Sequence, residues 1–582
     1  MSTAAAPRGS VHPSPLTRLW DRRLEHYPDN GPRFLSLGIV VITTVVLYYQ
    51  LYLSGAVATS VIRDLDMSFV YFVNISVVGY LLGALASVLA GMADRYGRAN
   101  IVTVGLAITG LLCAFVLPQM DTKAGFAIVY IVIGFVEGIV LVATPALIRD
   151  FSPQLGRASA MGYWTLGPVL GSLVVSAVVS SSASDSTWQH QYTISGVVGL
   201  VVFVIALLGL RELSPGLRDQ LMVSSKDRAL IEARAKGLDL GESLKRPFRQ
   251  MLHLDILGSA FAISVFLIFY YVAVGFFPVF FETVFGYTQD KANALGNWFW
   301  SFNVIGLLVV GYVSDLLRVR KPFMVAGAIG AAIFTLIFAL KATDAGTSYG
   351  TQVLLLVLIS IFQGMAFAPW MASFTETVER RNPALTATGL AVWGLTIRLV
   401  IALVVFCVPK VVDTVTPLVE QGPVVQAVLA DPTPVGATTV GEVATAASEH
   451  PEVIAQLQAA QASGQAPTPA QTAAAAKALG APQLAALAEP TPQLTTALKT
   501  LATAGPPVAA AAADSPSQWR TYFLIGVAGH LVFIPLTALM AGYWSPRKAK
   551  VAEQEHEAMV AAEMERLRPG GAPGVAGGPA LA

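Results

Sequence analysis

Twelve stretches of about 20 consecutive, predominantly apolar residues recur along this chain, and nothing else in it constrains the fold as strongly. A helix rises about 1.5 Å per residue, so each stretch is long enough to cross a hydrocarbon core roughly 30 Å thick. Only a backbone that satisfies its own hydrogen bonds is stable there. The stretches lie near 34–59, 68–90, 101–118, 125–147, 158–181, 192–210, 254–281, 293–314, 322–340, 351–371, 386–409 and 520–543, with boundaries set to about four residues. The composition agrees: 54% of the 582 residues are hydrophobic and only 13% charged, against about 25% charged in soluble domains. The expected fold is an all-α membrane protein of twelve spans, with the lipid bilayer as its solvent. A net charge of +1 and the lack of a basic tract with interleaved aromatics argue against nucleic acid as a partner.

Basic residues fall on one side of this layout. Arg18, Arg22, Arg23 and Arg33 precede the first span, and a further cluster from Arg211 to Arg249 separates spans 6 and 7. Arg318, Arg320, Lys321, Arg380, Arg381, Arg547 and Lys548 continue the same face, while the opposite loops hold only scattered bases such as Arg63, Lys123 and Lys291. Lys and Arg are retained in the cytoplasm during insertion, so both termini are expected there; the expected location is the plasma membrane. The first 33 residues carry no short apolar core with a small-residue cleavage site, so the first stretch is expected to remain as a span. The organisation is then a tail over 1–33, a six-helix bundle over 34–211, a linker over 212–250, a second bundle over 251–543 and a tail over 544–582. Residues 411–517 form an external insertion rich in Ala, Pro, Thr and Gln, for which weak order with short helices between Pro breaks is expected. The tail from Lys548 to Leu567 reads as a polar helix or as a disordered segment. Cys113 and Cys407 lie inside apolar runs, where they read as small buried hydrophobes rather than disulfide partners or metal ligands.

The two halves carry copies of the same loop chemistry. After span 2 the chain reads Gly91-Met92-Ala93-Asp94-Arg95-Tyr96-Gly97-Arg98, and after span 8 it reads Gly311-Tyr312-Val313-Ser314-Asp315-Leu316-Leu317-Arg318. Arg157-Ala158-Ser159-Ala160-Met161-Gly162 and Ala384-Leu385-Thr386-Ala387-Thr388-Gly389 form a second pair after spans 4 and 10. The Asp94–Arg98 segment resembles the signature loop of the major facilitator superfamily, with Ala90 in place of a glycine four residues before Asp94. The resemblance implies two pseudo-symmetric six-helix bundles, with Asp94, Arg95, Gly97 and Arg98 latching one half onto span 11 and with Asp315 and Arg157 in related gating positions. A carboxylate such as Asp94 facing a helix N-terminus gains about 0.3–1 kcal/mol from the macrodipole. Span 5 adds Gly162-Tyr163-Trp164-Thr165-Leu166-Gly167-Pro168, similar to the glycine-proline motif of proton-coupled exporters in that superfamily, where Gly167 and Pro168 permit packing and bending. The fourth-span motif of those antiporters is absent: Gly134 stands where they have arginine, and Glu137 where they have glutamine.

Mid-span charges mark the candidate site, because a lone ionisable group there costs about 2.5–3.5 kcal/mol on insertion scales. Glu137 in span 4 is expected to carry protons between the two sides, or else to sit in a fixed ion pair. Arg398 in span 11 is expected to hold an anionic substrate through its guanidinium, or else to pair with Glu137 or with helix-end carbonyls. Gln50, Asn74, Trp164, Tyr270, Tyr271, Trp300, Asn303, Gln363 and Trp393 are expected to line an apolar cavity with a few hydrogen-bonding groups. No metal-ligand spacing, phosphate loop or nucleophile elbow appears, so no metal, cofactor or enzymatic activity is expected. The expected function is alternating-access transport of a small organic, anionic or aromatic metabolite with protons as coupling partner, by a monomer. Two other readings stay open: a proton-linked exporter of hydrophobic compounds, and a sensor or partner-binding protein that uses 411–517.

Overall fold

The computed structural model describes residues 22–88, 97–151, 157–182, 186–214, 247–382, 386–462 and 467–566. Among these, eleven helices are long and apolar enough to cross a membrane, and a shorter apolar segment, Thr165–Ser181, belongs to a twelfth. In chain order the first six spans are the helices Asn30–Ala56, Phe69–Val88, Arg98–Leu111, Lys123–Phe151, Arg157–Ser181 and Trp188–Gly209. The next six are Leu254–Phe285, Gln289–Leu317, Lys321–Lys341, Tyr349–Arg381, Thr386–Val411 and the final part of Pro492–Leu536. Spans alternate in direction, so the start of span 1 and the end of span 12 lie at one face of the bundle, called the termini face, and the insertion lies at the other.

Two spans are less regular than a plain apolar run implies. Span 3 ends in a π-turn over Leu112–Val116 and a 3₁₀ turn over Leu117–Gln119, tightening towards Pro118. Span 7 is two helices, Leu254–Phe266 and Ile268–Phe285, meeting at a non-helical Leu267 (φ −84°, ψ 7°). Long aliphatic side chains such as Leu85, Ile128 and Leu208 remain exposed on the outside of the bundle, as helices surrounded by lipid require.

Small residues set the closest approaches. Gly79 and Gly83 of span 2 face Gly134 and Gly138 of span 4, each pair spaced by four residues, so two small-residue stripes press together. A β-carbon on Gly138 would stand 2.7 Å from the Gly83 carbonyl oxygen, with backbone rather than a movable side chain in the way. Gly138→Val is therefore expected to cost about 1–3 kcal/mol or more of stability by overpacking. The drop in melting temperature of the detergent-solubilised protein checks it; an unchanged transition would refute the tight crossing.

The insertion has the short helices expected between its prolines, in a more regular arrangement than weak order implies. It is built from the helices Val415–Glu420, Gly422–Leu429, Val440–Glu449, Pro451–Ala462, Pro469–Leu479 and Ala481–Ala488, with a two-stranded hairpin, Pro434–Val435 against Thr438–Thr439, turning at Gly436 (φ +62°). The prolines that read as breaks instead begin helices, since a first-turn residue has no backbone partner to lose. Alanine supplies the highest helix propensity between them. Thr439 with Glu442, and Thr468 with Gln471, close complete capping boxes. Hydrogen bonds from the Thr438 hydroxyl and the Thr439 backbone hold the Glu442 carboxyl below its usual range. The last span is also longer than the predicted 520–543: its helix starts at Pro492 and carries Pro506, Pro507 and Pro516 inside it, so one wall of the insertion and span 12 are a single rod. The tail folds as the helix Pro546–Arg566.

Candidate functional site

Glu137 lies fourteen residues from either end of the span 4 helix, about 21 Å from each face. Its side chain is buried, and among the described residues neither carboxylate oxygen has a hydrogen-bond partner. It therefore makes no hydrogen bond to Arg398. The polar groups within its electrostatic reach are the hydroxyls of Tyr48, Tyr80, Tyr130 and Tyr192 and the thiol of Cys113. Tyr130 is tied to Ser54 of span 1 at 2.9 Å.

Tyrosines connect this acid to the other half. Tyr48 and Tyr52, one helical turn apart on span 1, have ring centroids 5.2 Å apart. Tyr48 is reached electrostatically by both Glu137 and Arg398, and Tyr271 of span 7 by Arg398, Tyr48 and Tyr80. Tyr270 stands edge-on to Tyr271 at 5.4 Å and to Trp300 of span 8 at 5.0 Å. The fold thus gathers Glu137, Arg398, Tyr270, Tyr271 and Trp300 around one seam between the halves. Tyr48, Tyr52 and Tyr80 escaped sequence reasoning; the i, i+4 spacing of Tyr48 and Tyr52 on one helix face was the available signal.

The remaining predicted lining residues lie elsewhere. Gln50 donates to the Ser195 carbonyl at 3.2 Å, joining spans 1 and 6, and Asn303 to the Ser360 carbonyl at 3.1 Å, joining spans 8 and 10. Gln363 meets the buried His530 of span 12 at 3.3 Å. Trp393 packs on Trp370 with centroids 5.3 Å apart. All four join helices within one half, Gln50, Asn303 and Gln363 by hydrogen bonds and Trp393 by ring packing. Asn74 is exposed, about 200° around span 2 from Phe72 and Ser76, which line the seam. The side chains of Trp164 and Arg157 lie outside the described residues.

At the insertion face the halves are closed. Ser60 donates to Gln289 at 2.6 Å, Asn293 to the Ala56 carbonyl at 3.1 Å and Asn297 to Ser180 at 2.9 Å. Gly55 lets spans 1 and 7 touch, since a β-carbon there would stand 2.5 Å from the Val274 carbonyl oxygen. Two clefts beside Tyr52 keep only about 20 Å³ each, room for roughly one water. On the termini side, a cavity of about 320 Å³ opens between spans 5, 8 and 10, lined by Thr165, Leu307, Tyr312, Asp315, Phe367 and Pro369 among others. Within span 5, Gly167 and Gly171 press on Thr44 and Tyr48 of span 1, each with a β-carbon position 2.5 Å away, and the Pro168 carbonyl accepts from Ser172.

Of the gating residues, Asp94 and Arg95 lie outside the described residues. Asp315 is paired with Arg320, which also binds Glu376 of span 10 at 3.2 Å, so the second copy of the loop ties helices within its own half. Gly97 caps span 3 at φ +92°, and Arg98 is the first residue of that helix. The Glu212 carboxylate accepts the Ala99 amide at 3.3 Å, satisfying an orphan donor at the helix start. It is held there by a short parallel pairing of Arg23–Leu24 with Glu212–Leu213. Burial and the neighbouring Arg211 bring the Arg22 guanidinium down to about 10, against the pull of Glu212, so it stays charged at neutral pH. A β-carbon on Gly97 would stand 2.6 Å from Glu212 Oε1. Gly97→Ala is expected to cost about 1–3 kcal/mol through backbone strain, plus that clash. Adding Glu212→Ala should relieve the clash alone, which thermal melts of the single and double variants would separate.

Two six-helix halves thus meet over a buried acid and an aromatic seam and are closed at the insertion face. The profile of the Major Facilitator Superfamily matches residues 40–405, and the chain belongs to that family. It is 26% identical over 299 residues to the efflux pump radE of Floropilus chiversii, covering 49% of this chain and 53% of that one. It is 24% identical over 266 residues to the probable chloroplastic anion transporter 3 of Oryza sativa subsp. japonica, covering 43% and 48%. The chain thus spans about half the length of these curated relatives. In structure it resembles a bacterial homologue of the human lysosomal transporter Spinster in an inward-facing, unoccupied conformation, with a TM-score of 0.54, 14% identity and coverage of 88% and 98%. At that identity the likeness is one of fold.

Proposed function

We propose that this protein moves a small organic solute, anionic or aromatic, by alternating access, coupling each cycle to a proton carried on Glu137. The observation that carries this reading is the Glu137 carboxyl itself: buried at mid-span and without a hydrogen bond among the described residues. A structural acid would be expected to hold a partner. A carrier acid must accept a proton while facing one side and release it while facing the other, so a permanent partner would defeat it. Arg398, with the rings of Tyr270, Tyr271 and Trp300, supplies a cation and stacking faces for the solute. The one-sided Lys and Arg distribution supports cytoplasmic termini in a plasma membrane. The cavity then faces the cytoplasm.

The second reading is proton-linked export of hydrophobic compounds. It is favoured by the close seating of Gly167 and Gly171 on span 1 and by the similarity to an efflux pump. Internal pH in proteoliposomes, screened against organic acids and cationic drugs, tests both. Proton movement with an acid supports the first reading and with a drug the second; movement with neither refutes proton coupling.

A further inference from the structure

We propose that the insertion binds a long-chain amphiphile, its alkyl chain in an aliphatic cleft and an anionic head at Lys499, a site separate from the midplane seam. The cleft has a volume of about 1500 Å³, beyond the range of roughly 300–1,000 Å³ that suits a compact ligand. Its walls come from the helices Gly422–Leu429, Pro451–Ala462, Ala481–Ala488 and the first part of Pro492–Leu536. Leu429, Ile454, Leu457, Leu484, Leu498 and Val508 line it, each only partly buried. The domain's own core, around Val435, Val440, Val443 and Leu494, is small; Leu498 packs against it, while Leu429, Ile454, Leu457, Leu484 and Val508 lie outside it. Such a surface is an unfavourable face to leave to water.

Three features choose the occupant. Residues 411–517 contain no Phe, Tyr or Trp, so the cleft offers no stacking face to a planar aromatic compound; its aliphatic walls suit a flexible alkyl chain. Lys499 is the one charged residue among those lining the cleft, no carboxylate accompanies it there, and it makes no ion pair among the described residues. Finally, the helix that forms one wall runs unbroken into span 12. Ala512 at the lower lip is seven residues from Trp519, about 10 Å above the point where the span packs into the bundle. An amphiphile leaving or entering the outer leaflet passes this lip.

The test uses the full chain in lipid nanodiscs and a diazirine-bearing hexadecanoic acid, photolysed and mapped by mass spectrometry. Labelling within 425–512 is expected. Leu457→Asp, which puts a carboxylate on the apolar wall, should lower it about tenfold. Ala509→Trp, which fills the cleft without adding charge, should do the same and guards against a folding defect in the first variant. Lys499→Gln should lower labelling by the acid about threefold and leave labelling by the matching diazirine alcohol unchanged. A phospholipid carrying the diazirine on its acyl chain, placed in the bilayer, distinguishes a membrane lipid from a free acid as the source. Labels confined to the spans, or labelling of 425–512 indifferent to both wall variants, would overturn the site. An equal effect of Lys499→Gln on acid and alcohol would overturn the anionic head.

Discussion

Glu137→Gln is expected to abolish solute-dependent proton movement, down to the level of protein-free liposomes, while leaving solute exchange between two loaded compartments near the native rate. Glutamine has the shape of the protonated acid, and the pocket around Glu137 offers no hydrogen bond that would tell the two apart. A carrier frozen in the equivalent of its protonated form still reorients with solute bound, but never releases a proton. Net uptake against a gradient should vanish with the coupling, since no other acid lies at the middle of a described span. Glu282 of span 7, partly buried, sits near the insertion face beside Thr59 and Arg63, about eleven residues beyond Tyr271. Proton movement persisting in Glu137→Gln would direct attention to Glu282 and refute the role given to Glu137.

Bridging Ser60 and Gln289 should arrest transport. Their side chains meet at 2.6 Å across the two halves, and the Asn293 and Asn297 contacts lie along the same seam. Opening that face requires all of these to part. Ser60→Cys with Gln289→Cys, joined by a short bis-methanethiosulfonate reagent, holds the insertion face shut, and a closed carrier cannot complete a cycle. Transport should fall to background and return on reduction, with each single variant insensitive to the reagent. Full transport in the bridged protein would mean that the halves do not part there, and would remove alternating access as described.

The aromatic seam was half legible. Tyr270, Tyr271, Trp300, Glu137 and Arg398 stood out because each is costly or bulky at mid-span, and cost at depth can be read along one helix. Gln50, Asn303 and Gln363 stood out for the same reason, but the chain does not say which neighbour a polar side chain in a span will bond, and each is bonded within its own half. Their partners, the Ser195 and Ser360 carbonyls and His530, lie 145, 57 and 167 residues away. The short helices of the insertion were legible between its prolines, but their order was not: Thr439 and Thr468 supply caps, and prolines that break a helix interior also begin helices.

By itself the sequence determined the solvent, the number of spans, the alternation that brings both ends to one face, and the duplicated loops of the two halves. All of these follow from hydrophobic length and local chemistry, which are properties of single segments. Which face is closed, where Gly55 and Gly138 let helices touch, and whether Glu137 meets Arg398 or stands apart from it were decided only in the tertiary structure. Those are distances between segments far apart in the chain, set by how twelve helices pack at once.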